Sequence, residues 1–444
     1  MTIGAWLSRS AAEQGRAIEA GRIDPVDLTQ AFLDAIAAHP DAARIYARTT
    51  QDRALAEARA ARQRARQGLR RGPLDGVPVS WKDLFDTAGV TTEAGSALLQ
   101  GRVPERDAPV LTDATAAGLI CLGKTHMSEL AFSGLGLNPV TATPPNINDP
   151  AAAPGGSSSG AAVSVAAGLA AAAIGTDTGG SVRIPAAWND LVGLKTTAGR
   201  LSIDGVVPLA RHFDTVGPLT RTVEDAALLL AVLEGTPAPD LGDATMRGMR
   251  LLVPDSVVFD DIRDTPRAAF EAALDRLAAA GARITRAPLP SVEAAMPLSG
   301  VLFTGEAYGL WRDVIEARPD AMFRPILERF RSGAEFSAPD YVAAWRELEL
   351  LRAQYLAETH GYDAAVVPTA PNMPPDAARL MAEHDYYVTE NLLTLRNTRI
   401  ANLMGLCALT LPTGTPSAGI ALMSAPMSEA RLLRLGVAAQ AALQ

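Results

Sequence analysis

A chain of 444 residues is long enough for up to roughly three domains of about 150 residues each, and for a large buried core. Its 40 basic and 49 acidic side chains leave a net charge of −9, the wrong sign for a protein whose main ligand is a polyanion, so direct nucleic-acid binding is disfavoured. A hydrophobic share of 48% beside 20% charged excludes disorder, and two cysteines (Cys121, Cys407) with five scattered histidines exclude a disulfide framework and a structural zinc site.

The first ten residues carry one arginine, Arg9, and no apolar run of signal-peptide length, which predicts a cytoplasmic protein. Asp24-Pro25 supplies an N-cap and a proline for the first helical position, predicting an amphipathic helix to Ala38. A second helix is expected over 51–67. Its Arg53, Arg59, Arg62, Arg64 and Arg66 are spread around an alanine-rich cylinder and read as a solvated face, not a nucleic-acid patch. The turn Pro73-Leu74-Asp75-Gly76 leads into Val77-Pro78-Val79-Ser80-Trp81, a strand that delivers Lys82 and Asp83 at its end, where α/β proteins place chemistry.

A helix near 108–117, a strand at 119–122, an alanine-rich helix over 160–169 and apolar strands or turns at 171–174 and 191–194 follow. The stretch Pro150 to Thr176 bears no charge after Asp149, but its apolar part, 161–174, is shorter than the roughly 20 residues a membrane span needs; a packed core helix fits it better. Gly235 to Gly248 has linker composition and marks either a domain boundary or a long surface loop. Beyond it a strand at 249–253, a helix at 266–280 and a strand at 283–284 are expected. Strands and helices in this order predict an α/β fold: an α/β/α sandwich with a central mixed sheet flanked by helices. No internal repeat is found. The expectation is one domain over 1–444, with N-terminal helices in 1–70, a catalytic core in 71–235 and a part from 236 to 444 that completes the sheet and substrate pocket.

Three glycine-rich signals compete. Gly118 to Thr125 (GLICLGKT) satisfies the phosphate-binding pattern G-x-x-x-x-G-K-[ST], which would make the protein a nucleotide-binding module. A phosphate cradle needs small residues in a curved loop after a strand, whereas Leu119-Ile120-Cys121-Leu122 prefers to be the strand itself. Gly156 to Gly160 (GSSSG) satisfies the nucleophile elbow G-x-S-x-G with Ser158 as nucleophile, but the proline-rich segment before it offers no strand to feed the elbow. The third signal is Thr176 to Ser181 (TDTGGS), downstream of that glycine-serine block and of the strand-end Lys82. A serine preceded by two glycines has backbone N–H groups that can converge on one point, as an oxyanion hole requires.

At these residues the chain resembles the amidase signature family. The likeness runs through Gly76-Val-Pro-Val-Ser-Trp-Lys82-Asp83, Gly123-Lys124-Thr125, Gly155 to Gly160, and Thr176 to Pro185. It continues through Val192-Gly-Leu-Lys195, Asp214-Thr-Val-Gly-Pro218, Pro368-Thr-Ala-Pro371, Asn402-Leu-Met-Gly405 and Leu411-Pro-Thr-Gly414, so it covers nearly the whole chain. The resemblance implies amide hydrolysis with Ser181 as nucleophile, Ser157 as a bridging serine preceded by a cis peptide bond, and Lys82 as general base. It also implies oxyanion donors from the backbone N–H groups of Thr178, Gly179, Gly180 and Ser181. No metal or cofactor is implied. The partner is a small-molecule amide, with no nucleic acid, no membrane, and a homodimer as the one protein assembly in view.

Lys82 must then be desolvated, because a free lysine is protonated at neutral pH. Arg183 could hold a substrate carboxylate, but two residues past Ser181 an ion pair with Asp177 that braces the loop is the favoured role. His126 has no place in a Ser-Ser-Lys scheme, so a structural hydrogen bond is expected of it. Ala131-Phe132-Ser133 stands where the family lines its acyl pocket, and Phe132 serves either there or simply in the core. Two departures bear on substrate: Pro145-Asn146-Ile147-Asn148 and Trp188-Asn189-Asp190 replace segments common in the family. The alternative within this chemistry is the glutaminase component of a tRNA-dependent amidotransferase. The stretch between Pro371 and Asn402 lacks the threonine- and glycine-rich block such components usually carry, which favours a stand-alone amidase.

Overall fold

Runs of small and apolar residues can be buried on both faces of a sheet, and the central strands of this chain are. The computed structural model describes residues 2–444. Its strands are β1 (Tyr46–Thr49), β2 (Pro78–Lys82), β3 (Ile120–Thr125), β4 (Ala172–Thr176), β5 (Val192–Lys195), β6 (Val216–Thr220), β7 (Arg250–Pro254), β8 (Arg283–Ala287), β9 (Ala364–Pro368), β10 (Cys407–Pro412) and β11 (Gly419–Ser424). All belong to one 11-stranded mixed sheet in the order β1-β3-β2-β4-β6-β5-β10-β11-β9-β7-β8. Every residue of β2, β3, β4, β5, β6 and β9 is buried.

Alternate side chains of the sheet face two different helical layers. Leu409, Leu411, Ile420 and Leu422 pack with residues of helices Val223–Glu234 and Glu429–Leu443. Their neighbours Ala408, Ala421 and Met423 pack with residues of helices Ala338–Thr359 and His384–Leu403. This is the expected α/β/α sandwich.

The local elements arise as the residues suggest. Helix Pro25–Ala38 starts where the Val26 N–H donates to the Asp24 carboxylate at 2.8 Å, and it buries Leu28, Phe32, Leu33 and Ile36. Helices at Gln51–Arg66, Pro109–Ala116, Ser159–Ala166 and Asp264–Ala279 lie within a few residues of their expected spans. The Gly235–Gly248 stretch links helix Val223–Glu234 to β7; because β7 pairs with β9 and β8 in the same sheet, it is a loop between parts of one sheet. Gly235 itself stops the helix in the left-handed conformation (φ 67°).

The arginine-rich helix departs from expectation. Arg59 and Arg66 are exposed, but Arg53 pairs with Asp107 and Glu57, Arg62 with Asp24, and Arg64 with the fully buried Asp75. Apart from Glu57 on the same face, the neutralising acids Asp24, Asp75 and Asp107 lie outside the helix, where a helical-face argument does not see them. Among the described residues, no helix is long and apolar enough to cross a membrane.

The nucleotide-binding pattern folds as the physics of its middle residues dictates. Ile120–Thr125 is strand β3, and Lys124 is buried, donating from Nζ to the Phe85 carbonyl (2.6 Å) and Thr92 Oγ1 (2.8 Å) beside Asp83. A lysine tied down in this way reaches no phosphate.

Candidate active site

Parallel pairing of β2 with β4 sets Trp81 opposite Ile174, so Lys82 and Thr176 leave the sheet at the same end. Lys82 Nζ lies 2.7 Å from Ser157 Oγ and 2.8 Å from Thr176 Oγ1. The lysine is completely buried. Burial pushes its ammonium down to about 7, against the opposing pull of Asp214 and Asp177, so a large neutral fraction exists near neutral pH.

Ser157 is held by a loop with no room for side chains. The Gly156–Ser157 peptide is cis. A Cβ on Gly156 would come within 2.6 Å of the Gly136 nitrogen and Ser128 Oγ, and one on Gly155 within 2.9 Å of Pro185 Cα. The Gly156 N–H donates to the Gly134 carbonyl and the Ser128 N–H to that of Ser157. Directly after it, helix Ser159–Ala166 presses Ala161, Ala162 and Val165 onto Ala173 and Leu219 of the sheet. Its alanines allow that close approach, and Gly160 lets the first turn meet the Ile45 and His126 backbone.

Ser158 occupies the elbow position, but its hydroxyl donates to the Thr176 carbonyl at 3.3 Å beneath the strand, and it does not line the cavity described below. Without an incoming strand the glycine-serine block forms no elbow. His126 is half-buried beside the Ala43 backbone, and burial pushes its imidazolium down to about 4.

The loop after β4 carries Asp177 to Ser181. Asp177 and Arg183 are both fully buried and joined by two contacts, Nε to Oδ2 at 3.0 Å and Nη2 to Oδ1 at 2.9 Å. Burial would raise the Asp177 carboxyl; the Arg183 charge and hydrogen bonds, with Lys195 and Asn402, outweigh it and hold the group well below the usual carboxylate range. Arg183 gives two further donors to the Thr398 carbonyl and Asn402 Oδ1, so four of its five N–H groups are engaged, and, fully buried, it does not line the cavity that contains Ser181. Thr398 Oγ1 in turn donates to the Gly179 carbonyl, and Thr178 Oγ1 to Asp214.

Asp177 also accepts from the Gly180 N–H at 2.9 Å, so of the four expected oxyanion donors this one, on Gly180, is engaged by the brace. Its φ of 138° and a virtual Cβ 2.2 Å from Thr398 Oγ1 explain why glycine stands there. Among the described residues, the N–H groups of Thr178, Gly179 and Ser181 have no acceptor.

Ser181, Thr178 and Gly179 line a small cavity, about 20 Å³, together with Ala131, Phe132 and Ser133, so the three candidate pocket residues do meet the candidate nucleophile. Ser133 is fixed by the Tyr387 hydroxyl (2.8 Å) and by its own donation to Asn391. No hydrogen bond joins Ser181 Oγ to Ser157 Oγ; the two loops touch through the Ser158 N–H donated to the Ser181 carbonyl. Phe303, Arg329 and Arg399 are shared with an adjoining chamber of about 650 Å³ that leads outward. Sequence reasoning missed these three, as well as Thr176, Asp214, Thr398 and Asn402. The last two sit on helix His384–Leu403, and only the Asn402-Leu-Met-Gly405 and Asp214 to Pro218 matches signalled that those segments belong to the site.

Among the described residues, no group of three or more His, Cys, Asp or Glu lies together as a metal site would require. The two departures from the family pattern pack against each other: Asn148 Nδ2 donates to Asp190, and Asn189 donates its side-chain amide to the Pro154 and Pro185 carbonyls.

Comparison with known proteins agrees with this geometry. The Amidase family matches residues 27–433. The chain is 38% identical over 387 residues to 2-amino-5-chloromuconic acid deaminase of Comamonas testosteroni, covering 84% of this chain and 83% of that protein. It is 33% identical over 463 residues to a glutamyl-tRNA(Gln) amidotransferase subunit of Chloroflexus aurantiacus, covering 96% and 94%. A crystal structure of an amidase superposes with a TM-score of 0.88 at 31% identity, covering 98% of this chain and 100% of that one. With a family match along nearly its full length and relatives of this identity, the chain belongs to the amidase family and is an enzyme that hydrolyses carbon–nitrogen amide bonds.

Proposed function

We propose that this protein is a stand-alone amidase that cleaves a small carboxylic amide through an acyl-enzyme on Ser181, with Ser157 and Lys82 as its proton relay. The observation that carries the reading is the buried Lys82 Nζ, 2.7 Å from Ser157 Oγ, with its ammonium brought down to about 7. Ser181 Oγ bonds to the amide carbon as the carbonyl electron pair moves to oxygen. Its proton passes to Ser157 Oγ, and the Ser157 proton to Lys82 Nζ. The Thr178, Gly179 and Ser181 N–H groups, free of internal acceptors among the described residues, face no reorganisation cost in receiving the oxyanion. Collapse breaks the C–N bond, and the proton returns through Ser157 to the departing nitrogen, which leaves as ammonia or an amine. Water then attacks the ester carbon by the same relay, releasing the acid and restoring Ser181. The relay requires the Ser181 hydroxyl to come within hydrogen-bond reach of Ser157 Oγ when the amide is bound, as catalytic hydrogen bonds tighten in the substrate complex.

The relay sets a pH dependence. Below about 7 Lys82 is protonated and has no lone pair to accept the Ser157 proton; above it the base is free. The expected result is kcat/KM that rises with pH and levels off above about 7, with Lys82→Arg inactive throughout. A profile flat from pH 5 to 9 would remove Lys82 from the role of base.

The amidotransferase reading has the 33% identity to a component of such an enzyme in its favour. Against it, the chain after β9 runs through Asn372, which donates to Glu390 and Thr394, straight into helices Ala377–Ala382 and His384–Leu403, with no threonine- and glycine-rich segment. Sites built around one polar side chain reject its analogues strongly. Ammonia release from a panel of aliphatic and aryl amides separates the two: turnover across several amides is expected, whereas efficient glutamine hydrolysis with negligible turnover of the rest would establish the glutaminase.

A further inference from the structure

Helix Arg324–Arg331 carries three arginines, and two are accounted for. Arg324 donates to Glu328 at 2.7 Å and Arg331 pairs with Glu316 at 2.7 Å, both on the surface. Arg329 pairs with no acid among the described residues. It turns inward, stacks 4.3 Å over the Phe132 ring and gives one N–H to the Phe132 carbonyl at 2.9 Å, leaving most of its fork unspent. From the opposite wall, helix His384–Leu403 supplies Arg399, whose one side-chain hydrogen bond among the described residues is a long one, 3.3 Å, to Ser299 Oγ.

Both half-buried arginines line the cavity that contains Ser181, and both line the outer chamber, so they stand at the passage between the two. Among the described residues, no acidic side chain lines the inner cavity. The described residues that line the outer chamber include two acids: Glu328, engaged by Arg324 and by His384 Nε2 at 2.9 Å, and Asp385, and neither forms an ion pair with Arg329 or Arg399. Burial lowers the Arg329 guanidinium to about 9, and the Arg399 charge adds to that lowering; burial takes Arg399 to about 10. Two like charges facing one recess, neither paired with an acid, repel each other, and an anion arriving with the substrate offsets that repulsion. A planar fork matches a carboxylate bidentately.

We propose that the substrate of this site is the monoamide of a dicarboxylic acid, whose free carboxylate is held between Arg329 and Arg399 while its amide carbonyl meets Ser181. This rests on the reading of Ser181 as the acylated residue and adds the substrate class. The inner cavity offers a carboxylate two cations but offers an ammonium no anion, so an amide carrying an α-ammonium beside its carboxylate, as glutamine does, is disfavoured.

Calorimetric titration of the Ser181→Ala protein with succinamate, glutaramate and adipamate, each beside its neutral diamide, tests the assignment without needing turnover. At least one monoamide should bind about 10- to 100-fold more tightly than its diamide. Glutaramate should outbind glutamine. Arg399→Gln, and separately Arg329→Gln, should erase the preference for the acid while leaving diamide binding and the unfolding midpoint near those of the parent, and Arg399→Lys should restore part of it. In the active enzyme the same Gln substitutions should raise KM for the monoamide far more than they lower kcat. Equal affinity for monoamide and diamide, absence of binding by every monoamide, glutamine tighter than glutaramate, or a preference that survives both substitutions would each overturn the proposal. Turnover of neutral amides without any preference for the acid would overturn it while leaving the amidase reading intact; failure of every amide to be hydrolysed would instead count against that reading.

Discussion

Replacing Ser181 by Ala is expected to abolish amide hydrolysis, with a loss of about 10⁴-fold or more, because the other hydroxyls of its cavity, on Ser133 and Thr178, are committed to Asn391 and Asp214. Lys82→Ala and Ser157→Ala should each cost roughly 10²- to 10⁴-fold, the range for loss of a positioned proton acceptor. Combining either with Ser181→Ala should add almost nothing, since groups acting as one relay are not additive. Ser158→Ala should cost far less. Its hydroxyl caps nothing in the cavity and donates to the Thr176 carbonyl below the strand. Steady-state rates of the four variants decide the matter: an inactive Ser158→Ala enzyme beside an unimpaired Ser181→Ala enzyme would move the nucleophile to the elbow position.

Arg183→Met is expected to lower stability by about 3–5 kcal/mol and to eliminate activity together with it. The substitution keeps much of the volume but leaves the Asp177 carboxylate buried without its counter-ion, at 0% exposure of both side chains in the parent. It also frees the Thr398 carbonyl and Asn402 Oδ1 from their donor, so helix His384–Leu403 loses its tie to the loop. Gly180, Val182 and Arg183 all point backbone N–H groups at Asp177, and the loop cannot hold Ser181 in place when that acceptor shifts. Chemical denaturation gives the stability change directly. A loss below about 1 kcal/mol would show that the pair is dispensable to the fold.

How much of this was legible in the residues depends on how local each signal is. Strand β2 and its terminal Lys82 announce themselves through the Pro73 to Gly76 turn and an apolar run, and the Asp177-Arg183 pair is close enough in sequence to be foreseen. The cavity partners Ala131, Phe132 and Ser133 came from resemblance, and the structure sets them beside Ser181. Other features depend on contacts that sequence spacing hides. Arg329 cannot be told from Arg324 and Arg331 by its neighbours; only the fold shows that two of the three face acids and one faces the cavity. The Gly180 N–H belongs to the loop of expected oxyanion donors, and only the placement of Asp177 Oδ1 shows that it is engaged there. The basic helix at Gln51–Arg66 misled for the same reason, with Asp24, Asp75 and Asp107 lying outside it.

The central claim is that Ser181 is the nucleophile, made reactive through Ser157 by a neutral Lys82. Labelling the intact protein with a fluorophosphonate at pH 8 and mapping the adduct by peptide mass spectrometry tests it most directly. The account predicts one modified residue, Ser181, with labelling slowed by orders of magnitude in Lys82→Ala and at pH 5. An adduct on Ser158 or Ser157, or labelling of Ser181 at an undiminished rate without Lys82, would contradict it.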